Sequence, residues 1–296
     1  MESKKQEGVI LKGVGGLYYA LTDAGDTHVL RAKGKFRRQH ISPLVGDRVL
    51  LTPGEGDEHG WVEEILPRSS VMVRPPVANV ESMYLVLSPV PEPDYLLLDM
   101  LLATAQRQQV PCVLVVNKCD LDAQMAERVR RMYRGTGAEV YAASAETGAG
   151  TAALTERMRR GLGCFAGQSG VGKSTPLSRI LGLALETGEI SQRISRGKNT
   201  TRHAELLMGG GLRVLDTAGF SLLELWEGLE PVQLKEYYPE FAPYEGQCRF
   251  SPCFHRSEPG CAVLAAAESG EIDRERLQRY HVLLEKVQKA WRERYE

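Results

Sequence analysis

The sequence predicts a multidomain protein with three folded parts. These are an N-terminal OB-fold β-barrel, a central α/β domain of the P-loop type whose parts run in permuted order, and a C-terminal zinc-binding module with helices. Three observations predict it. Short strand-like runs separated by turn residues fill about residues 8–70. Continuous apolar runs then alternate with helical patterns and enclose "GQSGVGKS". Finally, three cysteines and a histidine fall within 14 residues near the C-terminus. The expected boundaries are 1-71 for the barrel, 72-228 for the α/β domain and 229-296 for the metal-binding and helical part.

The 296 residues suffice for two or three domains. A hydrophobic content of 43% and a charged content of 25% are ordinary for a globular protein. The net charge of −1 gives no bulk attraction to nucleic acid, so any such surface must be local. The N-terminal "MESKKQEGVI" lacks the apolar run of a secretory signal, and no stretch nears 18 apolar residues. A cytoplasmic address without membrane attachment is expected. Six cysteines are too sparse for a disulfide scaffold. Cys112, Cys119 and Cys164 lie in or beside apolar runs and read as buried thiols.

In the first part "GVILKGVGGLYYALT", "THVLRA", "DRVLLTP" and "GWVEEILP" are strand-like, with turn signals between them. Five short strands in about 65 residues suggest a small closed barrel, and an OB-fold leads. Within it "RAKGKFRRQH" places Arg31, Lys33, Lys35, Arg37 and Arg38 together without an acid. Such a loop suits RNA phosphates, with Phe36 available to stack on an unpaired base. A merely solvated charged loop is the plain alternative.

After "RPPVANV" the character changes. "SMYLVLS" and "VPCVLVVNKCD" read as buried parallel strands, and "DYLLLDMLLATAQRQ" between them carries a helical apolar face. "AEVYAAS", "TAALTERMRR", "GCFAG", "TPLSRILGLA" and "GLRVLDTAG" continue the alternation.

The sequence Gly167-Gln168-Ser169-Gly170-Val171-Gly172-Lys173-Ser174, followed by Thr175, satisfies the P-loop pattern after a strand and before a helix. Its glycines let backbone N–H groups turn onto phosphates. Lys173 places a cation on the β/γ oxygens, and the Ser174 hydroxyl suits Mg2+.

The base is decided elsewhere. Asn117-Lys118-Cys119-Asp120 ends an apolar strand, where the Asp120 carboxylate can accept from both N1–H and N2–H2 of guanine. Adenine lacks that donor pair and would leave a carboxylate unpaired. Ser144 and Ala145 open "SAETG", a loop suited to cover the guanine. Asp216 ends a strand in "VLDTAGF" as an outer Mg2+ contact, and Gly219 is placed to sense the γ-phosphate. Thr200 or Thr201 could close over Mg2+. The nucleotide is therefore GTP. The motifs run base reader, base cover, P-loop, switch threonine, Asp216 and Gly219, whereas ordinary GTPases begin with the P-loop. The segment after Gly219 thus leads straight into the C-terminal region.

Cys248, Cys253, His255 and Cys261 offer three thiolates and an imidazole, a closed set that suits one structural Zn2+. His28, His40, His59, His203 and His281 are scattered and read as surface or core residues. The terminal helix carries Arg276, Arg279, Lys286, Lys289, Arg292 and Arg294, either for RNA contact or as an amphipathic helix packed beside the metal module.

Permuted motif order, "GQSGVGKS", "RGKNTTRH", an N-terminal barrel and the cysteine cluster together resemble the ribosome small-subunit-dependent GTPase A (RsgA) family across essentially the whole chain. The resemblance implies a GTPase that binds the 30S ribosomal subunit and its rRNA late in maturation, stimulated by the subunit, with GTP and GDP as ligands. Nothing in the chain requires a second copy, and a monomer is expected. This chain departs from the family pattern at Asn199, where a histidine is usual, at Ala218, where proline is usual, and at Thr175-Pro176. Two rivals follow: a GTP-gated rRNA-binding module with little hydrolysis, and a small-molecule kinase using the P-loop.

Overall fold

Gly15 and Gly16, at φ of 60° and 81°, fold Gln6–Val14 (β1) back onto Leu17–Thr22 (β2). Two successive residues at positive φ match the right-handed twist of the flanking strands, which is why glycine sits at both. This turn opens the computed structural model, which describes residues 5–56, 58–72, 75–173, 204–216 and 228–294. The chain forms two units, one of residues 1–83, 155–165 and 177–220, the other of residues 84–154, 166–176 and 221–296.

In the first unit, Thr27–Ala32 (β3), Gly34–Arg38 (α1), Arg48–Thr52 (β4) and Gly60–Ile65 (β5) follow. β2 pairs with β3, β3 runs parallel to β5, β5 pairs with β4, and β4 returns to β1. The five-stranded barrel expected from the sequence is thus closed, in the order β1-β2-β3-β5-β4. Alternate residues fill it: Ile10, Ala20, Leu30, Val49, Leu51 and Val62 are each 0% exposed. Phe36 joins them at 5% exposure. This corrects the reading of Phe36 as a stacking residue. The short α1 turns its one aromatic inward to plug the barrel, leaving Lys35, Arg37 and Arg38 outside. A two-stranded ribbon of Val71–Met72 (β6) and Val77–Ala78 (β7) follows.

The second unit holds most of Ser82–Leu87 (β8), then Tyr95–Arg107 (α2), Cys112–Val116 (β9), Met125–Met132 (α3) and Glu139–Ala142 (β10). β9 and β10 are parallel, and the Asn117 N–H donates to Leu87 O beside them. Every residue of β8 and β9 is buried, as continuous apolar runs require. Asp94 caps α2, its carboxylate accepting from the Leu97 N–H at 2.9 Å.

Thr151–Met158 (α4) leads to Leu162–Gly167 (β11). Within the first unit, Leu162–Cys164 run parallel to Arg213–Leu215 of Leu212–Asp216 (β13), which pairs antiparallel with Glu205–Gly209 (β12).

The C-terminal residues fold as two 3-10 turns, Pro231–Tyr237 and Pro239–Tyr244, then Ala262–Ser269 (α5) and Arg274–Arg292 (α6). Tyr238, Phe241 and Tyr280 meet with ring centroids 4.9–5.2 Å apart in a core with Leu234, Val263, Leu277 and Leu284. Of the three scattered thiols, Cys112 and Cys164 are buried but Cys119 is only half-buried, since it lies beyond the end of β9. Among the described residues no helix is long and apolar enough to cross a membrane.

Candidate functional site

β9 delivers Asn117 to Asp120 at its C-terminal end, where parallel sheets place ligand sites. Asn117 is 2% exposed, and its Nδ2 donates to Val171 O of the P-loop at 2.9 Å. Lys118 sits at φ 55°, a conformation costing a non-glycine residue about 1 to 3 kcal/mol and typical of functional sites. Its ammonium donates to Val90 O at 2.5 Å and reaches Gly170 O at 3.3 Å. Lys118 therefore lies against the P-loop, while Asp120 stands exposed to solvent. The Cys119 N–H donates to Ala143 O at 3.2 Å, which draws the 144–148 loop to the same place. There Ser144 is fully buried, its hydroxyl accepts from the Thr147 N–H, and buried Ala145 follows. Residues 117–120 and 144–148, expected from the sequence to read and to cover the base, are thus brought together.

The described part of the P-loop runs from Gly167 to Lys173. Gly167 (φ 140°) approaches Val86 O so closely that a Cβ would strike it. Gly172 (φ 84°) leaves only 2.7 Å between a built Cβ and Asn117 Nδ2. Both glycines are demanded by backbone angle and space together. Val171 is fully buried while Ser169 and Gly170 are exposed, so the loop is anchored at one residue and open beside it. Lys173 folds its ammonium back onto Gly167 O and Gln168 O, each at 2.7 Å. Burial lowers its pKa, which marks an ammonium that gains from an incoming anion. Gln168 has a tie of its own, its Oε1 accepting from the Asp94 N–H at 3.0 Å.

Ser174, Thr175, Thr200, Thr201 and Gly219 lie outside the described residues, as do Asn199 and Ala218. Asp216 ends β13, with its backbone opposite Glu205.

Cys248, Cys253, His255 and Cys261 converge, their donor atoms all within 4.8 Å of one another. Cys248 Sγ is 3.7 Å from His255 Nδ1 and 3.9 Å from Cys261 Sγ, with 3.3 Å from Nδ1 to Cys261 Sγ. A zinc–sulfur bond of about 2.3 Å makes tetrahedral edges of roughly 3.8 Å, so the set fits such an ion. The chemistry fits too. Burial, then Lys235, holds the His255 imidazole toward its neutral, ligating form. Burial pushes the Cys253 thiol up to about 12, so a thiolate there needs a cation beside it.

Sequence reasoning missed the residues that support this loop. Glu258 accepts from the Phe254, Arg256 and Ser257 N–H groups at 2.7, 2.7 and 3.0 Å. Burial works to raise its carboxyl, and these donors outweigh it, holding the group down to about 2. From α6, the Tyr280 hydroxyl donates to Phe254 O and His281 Nε2 lies 2.7 Å from His255 O. A lone glutamate between ligands and a histidine 20 residues downstream of the last one carry no sequence signal.

A P-loop held by the strand-end Asn117 that precedes it in the chain defines the class, a GTPase of circularly permuted order. The solved structure of YloQ, titled a circularly permuted GTPase, superposes with a TM-score of 0.77 at 30% identity, covering 97% of this chain and 96% of that one. The chain belongs to the RsgA GTPase family: residues 65–226 match the family model described as RsgA GTPase, and residues 7–62 the RsgA N-terminal domain. It is a GTP hydrolase.

YjeQ from Thermotoga maritima superposes with a TM-score of 0.82 at 33% identity, over 96% of this chain and 99% of that one. A protein from Ruminiclostridium cellulolyticum named small ribosomal subunit biogenesis GTPase RsgA is 46% identical, over 93% of this chain and 92% of its own. The protein of the same name from Geobacillus thermodenitrificans is 44% identical, over 90% and 92%.

Proposed function

We propose that this chain acts in the biogenesis of the small ribosomal subunit. It binds the 30S subunit and its rRNA late in maturation, and hydrolyses GTP to GDP and phosphate with stimulation by the subunit. It works as a cytoplasmic monomer. The observation that carries the reading is that relatives 46% and 44% identical over nine-tenths of the chain bear that name.

Asp120 reads guanine, with Asn117 tying the reader to the P-loop and Lys118 lying alongside. Ser144 and Ala145 cover the base. Backbone N–H groups of residues 167–173 hold the phosphates, and Lys173 leaves its two carbonyls to neutralise them. Mg2+ would come with GTP and supply positive charge to the phosphates; Ser174 and Thr200 or Thr201 would hold it with Asp216 as an outer contact, Thr175 would lie beside the phosphates and Gly219 would sense the γ-phosphate. Catalysis of this kind is positioning and electrostatics. Cys248, Cys253, His255 and Cys261 would hold Zn2+ in a structural role, since four protein ligands would leave no position open for substrate.

RNA meets the barrel at exposed Arg31, Lys35, Arg37 and Arg38, with Trp61 as the stacking ring. Trp61 is 43% exposed and stands opposite Arg31 in the parallel β3–β5 ladder. Lys33 is engaged by Glu63 at 2.5 Å and contributes less.

A GTP-gated rRNA-binding module with little hydrolysis, the rival raised by Asn199, is not favoured, since the family and the named relatives are GTPases. The test is GTP turnover by the purified chain alone, with 30S and with 50S subunits. A rise of ten-fold or more with 30S only, about 1.4 kcal/mol off the barrier, is expected. No rise with 30S refutes the stimulation, and absence of 30S binding removes the ribosome from the account.

A further inference from the structure

Asp99, in the middle of α2, is fully buried and lies between two arginines of α6. Its carboxylate takes Arg276 Nη1 at 2.6 Å and Arg279 Nε at 2.5 Å, and the Tyr133 hydroxyl donates to it at 2.7 Å. Arg276 is 1% exposed; its Nε also bonds Glu240, and its guanidinium lies over the Tyr238 and Tyr133 rings at 4.7 and 4.9 Å. Two cations and two carboxylates balance. Burial opposes the Arg276 charge, and Glu240 and Asp99 overcome it.

This cluster is a poor device for stability alone. Glu240 Oε2, Arg276 Nη2 and the Tyr238 hydroxyl are buried without a hydrogen bond among the described residues. An apolar replacement of such a cluster is often neutral or stabilising. The best-attested use of directional buried charge pairs is to fix one register between packed helices.

Both helices lead to the site. The Asp94 N–H, at the start of α2, holds the Gln168 side chain of the P-loop, and the Gln168 carbonyl holds Lys173. Arg279 grips that same end, its guanidinium 5.3 Å from the ring centre of Tyr95, the first residue of α2. On α6, Tyr280 and His281 follow Arg279 directly and hold Phe254 O and His255 O of the metal loop. Four residues within 276–281 thus hold both elements, Arg276 and Arg279 on α2 and Tyr280 and His281 on the metal loop.

We propose that Asp99, Arg276 and Arg279 are positioning residues that set the P-loop through α2 and couple nucleotide binding to metal retention in the C-terminal module. The proposal rests on the reading of residues 167–173 as the phosphate site. Coupling between sites is reciprocal, so bound nucleotide tightens the metal loop as the intact metal loop tightens nucleotide.

The experiment uses the full chain loaded with Zn2+ and reads two quantities. One is the rate of Zn2+ transfer to a chromogenic chelator, without and with saturating GDP. The other is the GDP Kd by fluorescence of a labelled analogue. Arg279→Leu is the main variant because Arg279 reaches the surface; Arg279→Lys is the conservative control. Tyr95→Leu tests the same link from the α2 side should Arg279→Leu fail to fold.

In the unmodified chain GDP is expected to slow Zn2+ transfer five-fold or more. In Arg279→Leu the slowing falls below two-fold and the GDP Kd rises several-fold, with helical circular dichroism unchanged. Arg279→Lys recovers part of both, and Tyr95→Leu at least halves the slowing. A purely structural arginine would lower the melting temperature and leave the GDP-dependent ratio alone. Full GDP protection in folded Arg279→Leu or Tyr95→Leu overturns the proposal, as does its absence in the unmodified chain when GDP binds. If the unmodified chain binds no GDP at all, the nucleotide reading falls and takes the proposal with it.

Discussion

The proposed choice of base by Asp120 is testable at one atom because of where that residue stands. The carboxylate is exposed, so it is free to meet an incoming base edge. In Asp120→Asn the amide presents a donor where the guanine N2–H2 also donates. GDP affinity is expected to fall 100-fold or more, about 2.7 kcal/mol, while xanthosine diphosphate, which offers an acceptor there, gains. Titration of both nucleotides measures it, and unchanged GDP affinity would place the base elsewhere. Glu63 shows a second residue-scale effect, in pH. Partial burial works to raise its carboxyl, but the Lys33 ammonium and the Thr52 hydroxyl outweigh it and leave the group below its ordinary value. A depressed carboxylate stabilises the fold above its unfolded pKa of about 4.3, and the stabilisation is lost as pH falls through the folded value. The unfolding free energy of Glu63→Gln should therefore lie below that of the unmodified chain at pH 7, by less than about 1 kcal/mol. The two should begin to approach near the unfolded value and converge once pH falls below the depressed folded one; a gap that persists there would assign the loss to packing.

At the scale of elements, α1 divides the work of the basic segment between core and surface. Phe36→Ala should cost about 3 to 5 kcal/mol of stability, as for a buried aromatic, and leave RNA affinity per folded molecule unchanged. Trp61→Ala should do the reverse. It should keep the melting temperature and weaken single-stranded RNA or 30S binding by about 1 to 3 kcal/mol, the worth of one stacked base. Equal melting temperatures for the two variants would contradict the buried position of Phe36. The same pair shows what the sequence makes legible. Strand positions of the barrel follow from alternation and turn glycines, the P-loop from its spacing between strand and helix, and the 117–120 segment from N-K-x-D at a strand end in a chain with a P-loop, because these signals are local. Phe36 sits in a run of cations whose local signal is exposure, and only barrel closure shows that its ring points inward. Arg276 and Arg279 are harder still. Helical periodicity places them on the packed face of α6, but the carboxylate that makes burial possible, Asp99, lies 177 and 180 residues earlier. Glu258 and His281 escape notice for a related reason: they act on backbone groups, which no side-chain pattern records.

Across the whole molecule the charge is −1, and binding to a polyanion must come from how that charge is distributed. On the α6 side Arg276 and Arg279 are consumed by Asp99 and Glu240, and Arg256 by Glu285. On the barrel Lys33 is taken by Glu63 and Arg48 by Asp23 and Glu7. Arg31, Lys35, Arg37 and Arg38 remain exposed in one short segment. If these four meet phosphates, each releases a counterion, and the slope of log K against log salt receives about −0.7 to −0.9 from each. Together they account for a slope of about −3. Replacing all four by glutamine should flatten the measured slope for single-stranded rRNA fragments by that amount and weaken binding most at low salt, with GDP affinity untouched. Replacing Lys33 instead should change the slope by less than one, because its charge is already answered within the barrel. A slope that stays the same in the four-fold variant would move the RNA surface off the barrel, leaving the exposed cations of α6, Lys286, Lys289 and Arg292, as the next to test by the same measurement.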